Sequence, residues 1–300
     1  MRYLTRSKDP RPATPNPRPA TRDPQLPRLL RWFNRVVKGR DLARQYVCEM
    51  PASNITQPGC SGPVYCTTKV IPLNPEALSE NRVILDGESM VAEQFKMLRT
   101  LLFNRTRPKG WSTIQVTGFD SGEGKSLIAA NLAISIARDS RQTTLLVDLD
   151  FRNPSIHNLL GLGPELPGLV SFFTGEKRLE EILVNPGIEK LTVLPAGGRL
   201  LQAPELMGSP QMEALVGELK ERYKDRYIIF DTPPMNGFPD ALVFSGYVDS
   251  MLLVARAGYT SRTSVEKTVD LIPREKVLGL IFNDVKLKDL NLNGQYPPSN

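Results

Sequence analysis

Long apolar runs are missing from this chain of 300 residues. The longest, such as Met251–Ala255, fall far short of the roughly 18 residues a membrane-spanning helix needs. No apolar stretch follows the basic N-terminus, so a secretory signal is not expected and the mature chain is expected in the cytosol. Metal-ligating residues are also scarce: Cys48, Cys60 and Cys66 stand 12 and 6 residues apart, without CxxC spacing, and His157 is the one histidine. That pattern argues against a structural zinc site and for free thiols in a reducing compartment. Acidic residues are sparse at one end only. Residues 1–45 carry twelve Lys and Arg against three Asp, or +9; with a formal net charge of +6, the rest of the chain is −3. The basic balance therefore describes an arm, and a nucleic-acid-binding body is not expected.

The arm has two parts. Residues 1–27 contain seven prolines interspersed with arginine, too little apolar surface to offset ordering entropy, and are expected to be extended. In residues 28–40, Leu29, Leu30, Trp32, Phe33, Val36 and Val37 fall at helical spacing among Arg28, Arg31, Arg35, Lys38 and Arg40. A basic amphipathic helix of this kind can lie on an anionic membrane, dock in a partner's groove or pack on its own domain. Residues 46–80, rich in Pro, Ser and Thr, read as a linker.

Beyond the linker a helix is predicted over 90–104, with Val91, Phe95, Leu98 and Leu102 on one face. Strands and helices then alternate: strand 112–117, helix 126–138, strand 143–148, helix near 178–184, strand 190–194, helix 210–223, strand 227–231, helix 238–246, strand 250–255, helix 262–271 and strand 277–283. This rhythm predicts an α/β fold, a mostly parallel sheet with helices on both faces.

The most informative stretch is VTGFDSGEGKS, Val116 to Ser126. A short apolar strand breaks into a glycine-rich turn, and a helical pattern follows. Gly122 and Gly124 let the backbone come close to a phosphate chain, and the helix N-terminus adds positive potential. Lys125 supplies a mobile cation, and the Ser126 hydroxyl can ligate Mg²⁺. Phe119 stands where the strict P-loop pattern has its first glycine, so this is a variant P-loop.

Two more apolar strands end in carboxylates. Thr143–Val147 runs into Asp148-Leu149-Asp150-Phe151-Arg152, and Tyr227–Phe230 into Asp231-Thr232-Pro233-Pro234. In an open parallel sheet, ligands sit beyond the carboxyl ends of the strands. The three ends would then share one crevice, where Asp148, Asp150 and Asp231 could help hold Mg²⁺, the rest of its octahedron coming from waters and phosphate oxygens. Taken singly, each aspartate could equally open a loop or cap a helix.

The segments GEGKS, LLVDLDFRNP and IIFDTPP resemble the Walker A, A′ and B motifs of bacterial tyrosine autokinases of polysaccharide export. Ala92–Thr100 and the stretch from Leu194 to Met212 match as well, in the family's order. The resemblance covers roughly 81–286, leaving 287–300 as a flexible tail. It implies a three-layer P-loop fold of the deviant-Walker class, use of ATP and Mg²⁺, and phosphorylation of tyrosine on a neighbouring subunit. Phosphates are then expected on the N–H groups of Gly122, Glu123, Gly124, Lys125, Ser126 and Leu127. Mg²⁺ is expected at Ser126, Asp150 and Asp231, with one of Asp148 and Asp150 taking the proton of the attacking hydroxyl. Arg152 could steady a phosphate or pair with a surface carboxylate. By analogy with related ATPases, Asn283 would read the adenine edge; otherwise it simply closes a strand.

The resemblance also implies ring assembly through Glu93, Lys96 and Arg99, although an intrahelical ion pair worth about 0.3–0.5 kcal/mol would look the same. Lys96 and Ser121 depart from the family's usual arginine and proline. The family's C-terminal tyrosine cluster is reduced to Tyr296, within reach of a neighbour. With no spanning segment read in the chain, the implied activator is a separate membrane polysaccharide co-polymerase, which places the protein at the inner face of the cell membrane. The competing reading is a non-kinase ATP-binding switch or scaffold of the MinD/ParA-like class. Its switch members carry a signature lysine five residues before Lys125, where this chain has Asp120.

Overall fold

The computed structural model describes residues 68–72, 75–84, 89–200, 202–222 and 226–285. The arm over 1–45, its helix over 28–40, the three cysteines and Tyr296 lie outside these residues. β1 (Lys69–Val70) and α1 (Pro75–Glu80) fall inside the stretch read as a linker.

α2 (Met90–Thr106) starts where the Ser89 hydroxyl accepts the Ala92 N–H at 3.1 Å, an N-cap that satisfies one of the helix's orphan donors. β2 (Thr113–Gly118) leads into α3 (Lys125–Ala137), and β3 (Thr143–Asp148) into α4 (Ile156–Leu159), α5 (Leu169–Phe173) and α6 (Leu179–Ile182). β4 (Val184–Asn185) and β5 (Leu191–Leu194) precede α7 (Ala203–Met207) and α8 (Pro210–Arg222). β6 (Arg226–Asp231), α9 (Asp240–Phe244), β7 (Ser250–Arg256), α10 (Arg262–Val269) and β8 (Val277–Asn283) complete the order.

The eight strands form one sheet in the order β1-β4-β5-β3-β6-β2-β7-β8. All neighbours run parallel except β4 and β5. Helices cover both faces, so the central strands are apolar on alternate sides. Leu146, Ile229, Leu252 and Val254 meet α2 and α3 through Phe95, Leu102, Leu132 and Ile136. Leu145, Val147, Ile228, Phe230 and Leu253 meet α7, α8 and α9 through Met207, Leu215 and Phe244. This is the expected three-layer α/β arrangement. The predicted elements stand within about two residues of their ends, the helices near 178–184 and 238–246 being shortened at both ends to α6 and α9. α4, α5 and α7 are additional, being too short to show a period in sequence.

Strand order decides where the site forms. β6 enters the sheet between β2 and β3, and its last residue pairs on both sides: Asp231 opposite Val116, and Asp231 opposite Asp148. The central carboxylate is thereby set beside the glycine turn on one side and the acidic loop on the other.

Candidate nucleotide site

At the end of β2, Gly118 is packed so closely by the Glu123 carboxylate and the Val254 carbonyl that a Cβ there would overlap both. Phe119, standing where the strict motif has glycine, is 1% exposed and belongs to the α7–α9 side of the core. The loop then turns through Gly122 and Gly124, and Gly124 has φ of 86°, which L side chains rarely adopt. The first bond of α3 runs from Ile128 N–H to Gly124 O at 3.0 Å. The N–H groups of Lys125, Ser126 and Leu127 therefore have no helical acceptor and are available to an anion. Leu127 packs its half-buried side chain against the core, leaving only its backbone for such a ligand. Lys125 is 7% exposed and its Nζ donates to Asp120 O at 3.2 Å, across the loop it belongs to.

The loop is braced from behind. Glu123 is fully buried: one oxygen accepts the Phe119 N–H at 2.7 Å and the other the Thr260 hydroxyl at 2.5 Å. Burial raises its pKa, and the hydrogen bond from Thr260 opposes the rise. Asn283, at the end of β8, donates from Nδ2 to Glu123 O at 2.9 Å and accepts the Asp284 N–H at 2.9 Å. On the other side Asn236 donates to the Asp120 carboxylate at 2.9 Å and accepts from Thr268 at 2.7 Å. Thr260 and Asn236 were not singled out from sequence. Their one signal is position, each following the carboxyl end of a strand.

The three aspartates meet different surroundings. Asp148 is fully buried and accepts three backbone N–H groups, Asp150, Ser155 and Ile156, each at 3.1 Å. It closes its own loop and caps α4. Desolvation, with the nearby Asp150 charge adding to it, raises its pKa to about 7. Asp150, 8% exposed, accepts one N–H, from Asn153 at 2.9 Å. Asp231 is fully buried and neither of its oxygens has a hydrogen-bond donor among the described residues. Burial first, then the Asp148 charge, push its pKa well up; the Ser126 hydroxyl lies near enough to oppose this, though outside hydrogen-bond geometry, and Lys125 opposes it more weakly. A bare, buried carboxylate is costly unless a cation completes it. No group of three acidic, histidine or cysteine side chains suited to a metal converges among the described residues. The donor set Asp231, Asp150 and Ser126 thus fits Mg²⁺, which takes one or two carboxylates plus water and phosphate oxygens. Arg152 does not reach for a surface carboxylate: its Nε donates to the buried Asp240 at 3.1 Å, and its guanidinium lies 4.2 Å from the Phe238 ring centroid.

On α2, Lys96 pairs with Glu93 at 2.6 Å on the exposed side, while Arg99 turns inward to donate to Ser135 O of α3 at 2.6 Å. The three residues therefore share a helix without forming one cluster.

Fold and site together define an α/β nucleotide-binding domain of the P-loop type. Residues 114–297 match the family model of the CobQ/CobB/MinD/ParA nucleotide binding domain. The chain is 30% identical over 213 residues to the tyrosine-protein kinase YwqD of Bacillus subtilis, covering 70% of this chain and 88% of that one. It is 30% identical over 222 residues to the succinoglycan biosynthesis transport protein ExoP of Rhizobium meliloti, covering 72% of this chain and 27% of that protein. The crystal structure of the chimerical protein CapA2B2 superposes with a TM-score of 0.62 at 29% identity, covering 71% of this chain and 92% of that one. The chain belongs to the CobQ/CobB/MinD/ParA nucleotide-binding family and, within it, to the bacterial tyrosine autokinases of capsule and exopolysaccharide biosynthesis.

Proposed function

We infer that this chain is a protein tyrosine autokinase of capsule or exopolysaccharide biosynthesis, dependent on ATP and Mg²⁺. The observation that carries the reading is Asp231: a buried carboxylate with no donor, set by strand order between a P-loop and the Asp148–Asp150 loop. Backbone N–H groups from Gly122 to Leu127 hold the phosphates and Lys125 neutralises the outer ones. In this reading Asp231 and Ser126 would hold Mg²⁺, with Asp150 beside them as the third of the donor set. Held there, Mg²⁺ would supply charge neutralisation to the transferred phosphoryl group. Asp148, whose oxygens are engaged by three N–H groups, orders the loop. Asp150, the better exposed of the two, accepts the phenol proton as the γ-phosphoryl passes to tyrosine oxygen and ADP leaves. A base is needed because tyrosine, with a pKa of about 10, is ionised in roughly one molecule per thousand at neutral pH. The second amide hydrogen of Asn283 is left for an adenine edge.

Assembly into a homo-oligomer through α2 is supported by exposed Met90, Val91, Met97 and Leu101 on the helix that carries Glu93, Lys96 and Arg99. Among the described residues no helix is long and apolar enough to cross a membrane. Association with a membrane co-polymerase, helped by the basic arm, is the proposed route to the inner membrane face, supported by the likeness to the chimerical CapA2B2 protein, and loss of residues 1–45 should reduce membrane fractionation.

The test is incubation of the full chain with ATP and Mg²⁺ and detection of phosphotyrosine, with Lys125→Met as control. Phosphotyrosine that depends on Lys125 is expected. ATP hydrolysis without any phosphotyrosine, even with the co-polymerase's cytosolic segment added, would overturn the kinase reading in favour of an ATPase switch.

A further inference from the structure

Behind the P-loop, β7 ends in a tight turn with one exposed aromatic side chain. The turn is held at several points: Ala257 N–H donates to Asn283 O at 2.9 Å, Tyr259 and Thr260 N–H donate to Arg256 O at 3.1 and 3.0 Å, and the Thr260 hydroxyl bonds Glu123. Tyr259 is thus fixed at its backbone while its side chain is 54% exposed. The other tyrosines among the described residues are placed differently: Tyr227 is 4% exposed and bonded to Thr106, and Tyr247 is half-buried against Phe244. The Tyr259 hydroxyl has no hydrogen-bond partner among the described residues. It stands against the glycine turn, 3.6 Å from where a Cβ on Gly122 would sit. Beside it is Arg256, whose guanidinium lies 5.5 Å from the ring centroid, donates to Gly122 O at 3.4 Å and pairs with Asp284 at 2.9 Å.

We propose that Tyr259 is a phosphoacceptor, modified by a second copy of the chain, and that its phosphorylation weakens nucleotide binding at the adjacent P-loop. The proposal rests on the kinase reading above. The step is a phosphoryl transfer: the Tyr259 oxygen–phosphorus bond forms, the bond from the γ-phosphorus to the bridging oxygen breaks, ADP leaves, and the phenol proton goes to Asp150 of the donor copy. Accessibility, a free hydroxyl and a rigid turn make the side chain presentable to another active site. The consequence follows from charge. A phosphotyrosine adds about −1.5 to −2 at neutral pH, and the nearest cation, Arg256, is one that now braces Gly122. The new dianion competes with Asp284 and Gly122 O for that guanidinium and places like charge beside the triphosphate. For charges about 10 Å apart in screened water this costs about twofold in Mg·ATP affinity.

The experiment compares wild type, Tyr259→Phe, Tyr296→Phe and Lys125→Met. Each full chain is incubated with ATP and Mg²⁺, phosphosites are mapped by mass spectrometry, and affinity for a fluorescent ATP analogue is measured before and after. A synthetic Glu/Tyr copolymer reports kinase activity independently. Phosphate on Tyr259 is expected in wild type and Tyr296→Phe and not in Lys125→Met. Incubation should weaken analogue binding about twofold in wild type and leave Tyr259→Phe unchanged, with copolymer phosphorylation intact in that variant. Phosphate on the copolymer or other tyrosines, with none on Tyr259, overturns this proposal alone. Modified Tyr259 with unchanged affinity overturns the regulatory half. No phosphotyrosine on any chain or on the copolymer overturns the kinase reading and this proposal together.

Discussion

Replacing Asp231 by asparagine should make the protein more stable while depriving it of its metal. Asp231 has no hydrogen-bond partner among the described residues, is fully buried, and lies beside Asp148 across the β3–β6 pair. Holding its charge without a cation costs a few kcal/mol, of which about 2 kcal/mol is a conservative share. For a domain of this size that corresponds to a rise of about 4–8 °C in Tm for the nearly isosteric amide. The sign reverses intuition about active-site variants, and pH separates it from accidental repacking. Burial and the Asp148 charge raise the folded-state pKa of Asp231 above its unfolded value. The folded chain therefore binds the proton more tightly, and its stability falls as pH rises from the unfolded pKa, near 4, through the raised folded one. The variant's advantage should be larger at pH 8 than at pH 5, because the raised folded-state pKa makes wild type lose stability as pH rises. Thermal unfolding in chelator at the two pH values measures this. The same scans with Mg²⁺ and ATP should raise the Tm of wild type and leave the variant nearly unmoved. An Asp231→Asn variant that melts below wild type near pH 8, or an advantage that does not change with pH, would refute the argument.

Lys125→Met should weaken ATP binding at least about tenfold by calorimetry while leaving Tm close to wild type, because among the described residues Nζ donates only to Asp120 O. The two aspartates of the acidic loop should separate. Asp148→Ala leaves three N–H groups, two of them buried, without an acceptor and should cost about 2–4 kcal/mol in denaturant unfolding, whereas Asp150→Ala should cost about 1 kcal/mol and abolish phosphotyrosine formation. Gly124→Ala combines a φ of 86° with a Cβ pressed on the Asn283 amide and should cost about 1–3 kcal/mol. In a double-mutant cycle, Asn283→Ala should recover part of that loss.

What could be read from the chain and what could not divide along sequence distance. The glycine turn, the Asp148–Asp150 pair and Asp231 each sit in a contiguous strand-then-loop pattern, so their chemistry shows in a few residues. The bracing does not: Thr260 meets Glu123 across 137 positions and Asn283 meets it across 160, and an isolated threonine carries no signature of such a contact. Nor could the spacing show that Asp148, and not Asp150, is the one that takes three backbone N–H groups. That depended on α4, four residues long, turning its first N–H groups onto Asp148. The deepest gap is topological. Three strand ends bearing P-loop and carboxylates predict a shared crevice, but not which strand stands in the middle. A chain that returned β6 to an outer edge would keep every motif and lose the site, because the Asp231 oxygens would face water instead of being enclosed between β2 and β3. The motif residues are therefore necessary, and strand order is what turns the last of them into a buried charge that a cation can complete.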